Sequence, residues 1–190
     1  MCHSRGMRTP ALVLAVAAVL AGCTLVGSGS PAERTADGTG HVPVPDVIAT
    51  GPTGRTEIGQ VVRVTDGDTI RVEIEGVEER VRYIGVDTPE SVDPRKTIQP
   101  YAVEADRANR RLVEGREVVL EIDVSERDRY GRLLRYVWVD AAEGWVLVNF
   151  QLVSDGYASA VTYPPDVKYQ ALLLDAERAA REAAVGMWGP

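Results

Sequence analysis

The stretch that decides the fold is residues 58–86, IGQVVRVTDGDTIRVEIEGVEERVRYIGV. Apolar and polar residues alternate on both sides of the turn Asp66-Gly67-Asp68, which is typical of two half-buried β-strands joined as a hairpin. In each strand we expect alternate residues to face the core, and these are Val62, Val64, Asp66, Asp68, Ile70, Val72 and Ile74. A third strand is predicted over residues 81–86, where Arg82 shares the parity of Ile84 and Val86. We therefore expect Arg82 to lie in line with core positions and to need a charged partner.

The rest of the chain has one helical pattern, two further strand patterns and then two helical patterns. Residues 99–113 have apolar side chains at helical spacing. Alternating apolar residues predict a fourth strand over residues 118–122 and a fifth over residues 134–138, whereas residues 148–153 and 166–184 have helical patterns. Five short strands with a helix after the third are the element order of an OB-type barrel. We predict an α+β, mainly β, fold: a five-stranded OB-fold barrel with three helices.

The N-terminus has the pattern of an export signal. Positively charged residues precede an apolar run over residues 11–21 that is too short to span a bilayer comfortably. The run ends in LAGC, residues 20–23, which resembles the lipobox of bacterial lipoproteins. We therefore expect a signal peptide over residues 1–22, lipid attachment at Cys23 and anchoring to the outer face of the cell membrane. The alternative is an ordinary signal peptide with a chance cysteine, which would give a secreted protein.

Composition separates a tether from a folded domain. The chain after the signal is first rich in Gly, Ser, Pro and Thr and shows no helical or strand period. We predict a flexible tether over residues 23–57 and a folded domain over residues 58–190. The two histidines, His3 and His41, lie outside that domain, which excludes histidine bases and histidine metal ligands from its chemistry.

Three short charged motifs lie beside the predicted strands: DGDT at residues 66–69, DTPE at 87–90 and DRYGR at 128–132. Each has a purely structural interpretation. Asp and Gly are common in tight hairpins, Thr88 and Pro89 suit the start of a helix, and the third motif suits a solvated loop. Taken singly, none of the motifs requires a catalytic role.

Taken together, the motifs supply what the hydrolysis of a phosphodiester needs when no histidine is present. Two carboxylates and a backbone carbonyl are hard oxygen ligands suited to Ca²⁺, and a further carboxylate could orient a water molecule or take its proton. Two arginines have planar donor groups that suit a phosphate whose charge grows during attack. The candidates are Asp68, Arg82, Asp87, Thr88, Glu90 and Arg132. This interpretation requires that the three motifs converge in space.

In order, spacing and residue type, the motifs DGDT, VRYIGVDTPE (residues 81–90) and DRYGR resemble those of the staphylococcal nuclease (thermonuclease) family, and the resemblance extends from about residue 58 to the C-terminus. It implies that family's five-stranded OB barrel and its Ca²⁺-dependent cleavage of DNA and RNA, with attack at phosphorus and release of 3′-phosphate ends. The resemblance assigns catalytic roles to Arg82, Glu90 and Arg132, metal binding to Asp68, Asp87 and the Thr88 carbonyl, and substrate contacts to Arg129, Tyr130 and Tyr163.

The charge balance departs from that of the basic members of this family. The chain has 21 Lys and Arg against 28 Asp and Glu, a net charge of −7, and removal of Arg5 and Arg8 with the signal would leave −9. Because non-specific nucleic-acid binding is mainly electrostatic, we expect weak affinity that depends strongly on salt and metal. We also expect a monomer. The alternative function is a non-catalytic OB-fold module that binds nucleic acid or protein, although such modules typically have the catalytic charges replaced.

Overall fold

A computed structural model describes residues 46–90 and 99–190. The predicted signal peptide, Cys23 and most of the predicted tether lie outside the described residues. The helices are α1 (Asp46–Ala49), α2 (Ala102–Val113), α3 (Val148–Ser154) and α4 (Gln170–Glu182). The strands are β1 (Arg55–Asp66), β2 (Thr69–Ile74), β3 (Val77–Tyr83), β4 (Val86–Asp87), β5 (Glu117–Ile122), β6 (Leu133–Ala141), β7 (Gly144–Leu147) and β8 (Ser159–Ala160). A 3₁₀ turn, Gly186–Trp188, lies near the C-terminus.

The sheet closes into a barrel of five strands. Hydrogen bonding follows the order β3-β2-β1-β5-β6, and a parallel pairing of β3 with β6 closes the ring. All other ladders of the barrel are antiparallel, and β7 extends β6 as a hairpin. Closure removes the exposed strand edges that an open sheet would leave. The predicted five-stranded barrel with three helices is confirmed, with the short α1 and a two-residue ladder of β4 with β8 added to it.

The predicted facing of two strands was wrong. Two register shifts interrupt the alternation of β1, so Val61 and Val64 are buried while Val62 is exposed. In β3 the core positions are Val81 and Tyr83, and Arg82 therefore points to the outer face of the barrel. The strand also ends earlier than predicted, because Gly85 has a positive φ and turns the chain before β4 begins.

Three helices cover the barrel, each with an apolar face. Small residues of α2, at Ala105 and Ala108, are buried, and helix α4 buries Leu173 and Ala176 in the same way. Helix α3 is buried along nearly its whole length. No helix among the described residues is long and apolar enough to cross a membrane.

The fold includes residues that were assigned to the tether. Ile48 of α1 is buried in the core, and the backbone N–H groups of Thr53 and Gly54 donate hydrogen bonds to the buried Glu121 carboxylate, with N–O distances of 3.0 and 2.6 Å. Burial raises the pKa of Glu121, but hydrogen bonds from Lys168 and other donors outweigh it and lower the pKa overall. These contacts tie Ile48, Thr53 and Gly54, which the tether prediction included, to the folded domain.

Candidate active site

The predicted catalytic and metal-binding residues line one cavity of about 170 Å³ on the outer face of the barrel. The cavity lies where the β1–β2 turn, the end of β3 and the segment after β4 meet. Its lining residues are Asp66, Asp68, Thr69, Arg82, Asp87, Thr88, Pro89, Glu90 and Arg132. The structure thus brings together the three motifs whose convergence the sequence interpretation required.

Asp68 is the buried carboxylate at the centre of the cavity wall. Its Oδ2 accepts hydrogen bonds from the backbone N–H and the hydroxyl of Thr88, at 2.9 and 3.0 Å, and its Oδ1 accepts one from the Thr69 hydroxyl at 3.1 Å. A carboxylate has about four acceptor positions, so Oδ1 retains capacity for a further ligand. These contacts hold the β1–β2 turn against the segment that carries Asp87.

Arg82 lies between two carboxylates of the cavity. Its Nη2 donates to Asp87 Oδ1 at 2.8 Å, and its Nη1 is 2.5 Å from Asp68 Oδ2. Both contacts are ion pairs, and the Arg82 side chain is only 15% exposed. A largely buried guanidinium needs such partners. Arg82 therefore holds the two carboxylates together at the cavity, and a phosphate that enters would compete with them for its donors.

The turn that carries Asp68 is fixed by close packing and by a buried polar pair. A Cβ on Gly67 would lie 2.7 Å from Thr88 Oγ1, so only glycine allows the turn to approach Thr88 this closely. Behind the turn, the Asn109 amide of α2 donates to the Asp66 carbonyl at 2.9 Å and accepts a bond from the Tyr83 hydroxyl at 2.8 Å. Helix α2 thereby positions the turn from the side of the core.

Glu90 is held through its backbone. Its N–H donates to the Gln99 side-chain oxygen at 2.7 Å, and the Gln99 N–H donates to the Glu90 carbonyl at 3.1 Å. This two-way contact fixes the chain at Glu90 beside the start of α2. Gln99 is a positioning residue that sequence reasoning missed, because the contact joins positions nine residues apart with no motif around Gln99.

Arg132 reaches the cavity from the loop between β5 and β6. Asp128 organises this loop: its Oδ1 accepts from the N–H groups of Tyr130 and Arg132, both at 2.9 Å, and its Oδ2 accepts from Arg132 Nε at 2.7 Å. Partial burial raises the pKa of Asp128, but the bonds from Arg132 and Tyr130 outweigh burial and lower it. Because only Nε of Arg132 is used in this ion pair, the Nη groups can serve a substrate.

The three predicted substrate contacts lie outside the cavity lining. Tyr130 is exposed, and its ring lies 4.7 Å from the Arg129 guanidinium and 5.6 Å from that of Arg132. Tyr163 is 66% exposed, on the segment that follows β8. Tyr130 therefore extends the cavity through Arg132, whereas no contact of Tyr163 with the cavity is present among the described residues.

Excess negative charge is the main electrostatic property of the cavity. Four carboxylates line it against two guanidinium groups. Burial and the nearby Asp68 raise the pKa of Asp66 to about 7, and burial also raises the pKa of Asp87 despite its contact with Arg82. Asp66 belongs to the DGDT motif but was not predicted as a site residue, because the strand pattern placed both aspartates of the turn on core-facing rows and gave Asp66 no separate role.

The donor set suits a hard divalent cation. Carboxylate and carbonyl oxygens are the ligands that Ca²⁺ prefers, and the excess of carboxylates over guanidinium groups gives the cavity a charge that such an ion would balance. Among residues 46–90 and 99–190, no group of three Asp, Glu, His or Cys side chains is arranged so that it could hold a metal ion. Asp68 and Asp87 are instead in contact with Arg82.

Comparison with known proteins finds a nuclease family and several nucleases similar to this chain. A family model described as "Staphylococcal nuclease homologue" matches residues 80–190. The thermonuclease of Staphylococcus intermedius is 41% identical to this chain over 134 residues, which cover 70% of this chain and 77% of the relative. The thermonuclease of Staphylococcus hyicus is 42% identical over 129 residues, which cover 68% of this chain and 74% of the relative.

A third relative is named as an endonuclease. Endonuclease YncB of Bacillus subtilis (strain 168) is 39% identical over 128 residues, which cover 66% of this chain and 59% of the relative. The residues matched by the family model include Arg82, Asp87, Glu90 and Arg132 of the cavity, whereas Asp66 and Asp68 precede the matched range.

Proposed function

Because this chain belongs to the staphylococcal nuclease homologue family and is a phosphodiester-hydrolysing nuclease, we propose that it cleaves both DNA and RNA in a Ca²⁺-dependent reaction within the cavity of Asp68, Arg82 and Glu90. The observation that carries this proposal is the convergence of Asp68, Arg82, Asp87, Glu90 and Arg132 on one cavity. Guanidinium groups beside carboxylate oxygens suit a phosphate together with the divalent cation that balances the carboxylates.

Asp68, Asp87 and the carbonyl of Thr88 would hold the ion. When bound, Ca²⁺ would neutralise part of the charge on the phosphate and on the two carboxylates. Arg82 now contacts both carboxylates, so it must leave at least one of them to reach a phosphate. The bonds that Asp68 accepts from Thr88 and Thr69 do not involve Arg82, so they would hold the carboxylate in place when Arg82 moves.

Glu90 and the arginines have separate tasks in the reaction. Glu90 orients the attacking water or takes its proton, and its fixed backbone limits the movement of the carboxylate during that step. Arg82 and Arg132 donate hydrogen bonds to the phosphate oxygens, whose negative charge increases when a fifth oxygen approaches phosphorus. Bond cleavage on the side of the 5′ oxygen leaves a 3′-phosphate end.

The substrate is held mainly by local groups rather than by the charge of the whole protein. Arg129 and Tyr130 lie beside Arg132 and are exposed, so they are available to a second phosphate and to a base. Since the chain has a net charge of −7, we propose that its affinity for nucleic acid is low and depends strongly on salt and on the cation.

The direct test is a cleavage assay of the purified protein on single-stranded DNA, double-stranded DNA and RNA. We expect cleavage of all three in Ca²⁺, loss of cleavage when a chelator is added, and recovery when Ca²⁺ is returned. Terminal transferase should extend the 3′ ends of the products only after phosphatase treatment, whereas polynucleotide kinase should label their 5′ hydroxyls without it, which together identify 3′-phosphate ends. Cleavage that continues unchanged in the chelator would contradict the role of the cation.

We further propose that the protein acts outside the cell, attached to the membrane through a lipid on Cys23, or is secreted if that lipid is absent. This proposal is supported by the sequence LAGC after an apolar run. A Cys23→Ala variant should move from the membrane fraction to the soluble extracellular fraction. The same distribution for variant and wild type would rule out the lipid.

A further inference from the structure

A row of three arginines crosses the outer face of the barrel beside the cavity. In the strand register, Arg63 of β1 pairs with Arg71 of β2, and Arg71 pairs with Arg80 of β3. All three side chains are exposed. Neighbouring strands lie about 4.8 Å apart, so the row spans about 10 Å. We call these residues the arginine row.

The arginine row lies next to a row of paired strand residues that line the cavity. On the same face, Asp66 pairs with Thr69, and Thr69 pairs with Arg82. Arg71 and Arg80 are each two residues along their strands from Thr69 and Arg82, which is a spacing of about 7 Å. At its β3 end the arginine row continues to the loop of the site, because Arg80 Nη2 donates to the Tyr130 carbonyl at 2.9 Å.

Like charges directly opposite one another destabilise a sheet, so the row is unfavourable for folding alone. It occurs in a chain where acidic residues outnumber basic ones by 28 to 21, which makes the local concentration of arginine more notable. Arg71 also contacts Glu78 at 2.7 Å, but exposed ion pairs contribute little and a phosphate can replace the carboxylate.

On the side of the arginine row away from the cavity, the next row of paired residues limits the direction in which a polyanion can lie. Gln60 pairs with Glu73, and Glu73 pairs with Glu78, so the row beyond the arginines carries two acidic residues. A polyanion that leaves the cavity along the strands would meet these carboxylates. Passage across the strands, over the arginine row, avoids them.

We propose that Arg63, Arg71 and Arg80 bind the phosphates of a single-stranded nucleic acid next to the phosphate that is cleaved. This inference rests on the proposed function and deepens it, because it states where the substrate strand lies outside the cavity. Three arginines in line supply local electrostatic attraction that the acidic protein as a whole lacks. The preferred substrate is therefore a strand that extends beyond the cleaved bond.

The test compares two double variants that change the net charge equally. One is Arg63→Gln with Arg71→Gln, and the other, a matched control, is Arg107→Gln with Arg111→Gln, which removes two exposed arginines of α2. Arg80 is left intact because it also contacts the loop of Arg132. Binding of a fluorescent oligodeoxythymidine strand is measured by anisotropy in Ca²⁺ over a range of KCl, with Glu90→Gln in all proteins so that no cleavage occurs.

We expect the arginine-row variant to bind about tenfold more weakly, with a salt slope shallower by about 1.4, since each phosphate contact on a single strand contributes about 0.7. The control variant should change affinity by less than about twofold. Equal effects of the two double variants, or no binding by the Glu90→Gln parent, would overturn the inference. If the parent binds as expected but the protein with Glu90 intact does not cleave the same strand, the proposed function is contradicted instead, so the two failures are distinguishable.

Discussion

Replacement of Arg82 by glutamine should lower kcat/KM for nucleic acid by about 10³-fold, because removal of one preorganised donor to a developing negative charge typically costs 10²–10³ in rate. Arg82 lines the cavity, its side chain is only 15% exposed, and its ion pairs with Asp68 and Asp87 hold its guanidinium in place. Steady-state kinetics on one single-stranded substrate give the measurement.

Arg82→Lys separates charge from geometry. Lysine keeps the positive charge but loses the planar fork that contacts two groups at once, so we expect most of the loss to remain. Arg178→Gln, which removes an exposed arginine of α4 in contact with Asp175, is the matched control and should retain activity within about twofold. Full activity of Arg82→Lys would show that Arg82 acts only as a general positive charge.

The second large effect concerns the cation. Asp68→Asn should weaken Ca²⁺ binding by about 100-fold, because the affinity of such sites depends on the number of charged ligands. Asparagine keeps an oxygen that can accept the bonds from Thr88, so the turn is expected to stay in place. Titration calorimetry with CaCl₂ measures this affinity without any need for turnover.

Glu104→Gln is the control for Asp68→Asn, since it removes one exposed carboxylate from the first turn of α2. Its Ca²⁺ affinity should equal that of the wild type. If Asp68→Asn bound Ca²⁺ as tightly as the wild type, Asp68 would not be a ligand and the proposed ion site would be wrong.

The sequence predicted the order of the elements, and the family resemblance implied the convergence of the three motifs, but the predicted faces of two strands were wrong. Strict alternation placed Val62 and Arg82 toward the core, whereas bulges in β1 and the turn at Gly85 reset the pattern. The bulges lie within the β1–β2 hairpin, and the alternation of residue types does not show where they fall. For the same reason, the pairing of Arg63 with Arg71 became visible only in the structure.

The site residues that the sequence missed act through long-range contacts. Asn109 holds the Asp66 carbonyl from a helix 43 residues away, and Gln99 fixes Glu90 through a side-chain oxygen. The segment around Thr53 was assigned to the tether because its Gly and Pro resemble a linker, whereas its backbone contacts with Glu121 join residues 67 and 68 positions apart.

The most direct test of the account is cleavage of a labelled single-stranded oligonucleotide by the wild-type protein and by Glu90→Gln, prepared in parallel and assayed in Ca²⁺. The glutamine side chain preserves size while removing the negative charge that orients or deprotonates water. We expect cleavage by the wild type and a rate at least about 10²-fold lower for the variant. Equal rates for the two proteins, or no cleavage by either, would contradict the claim that this cavity is the active site of a nuclease.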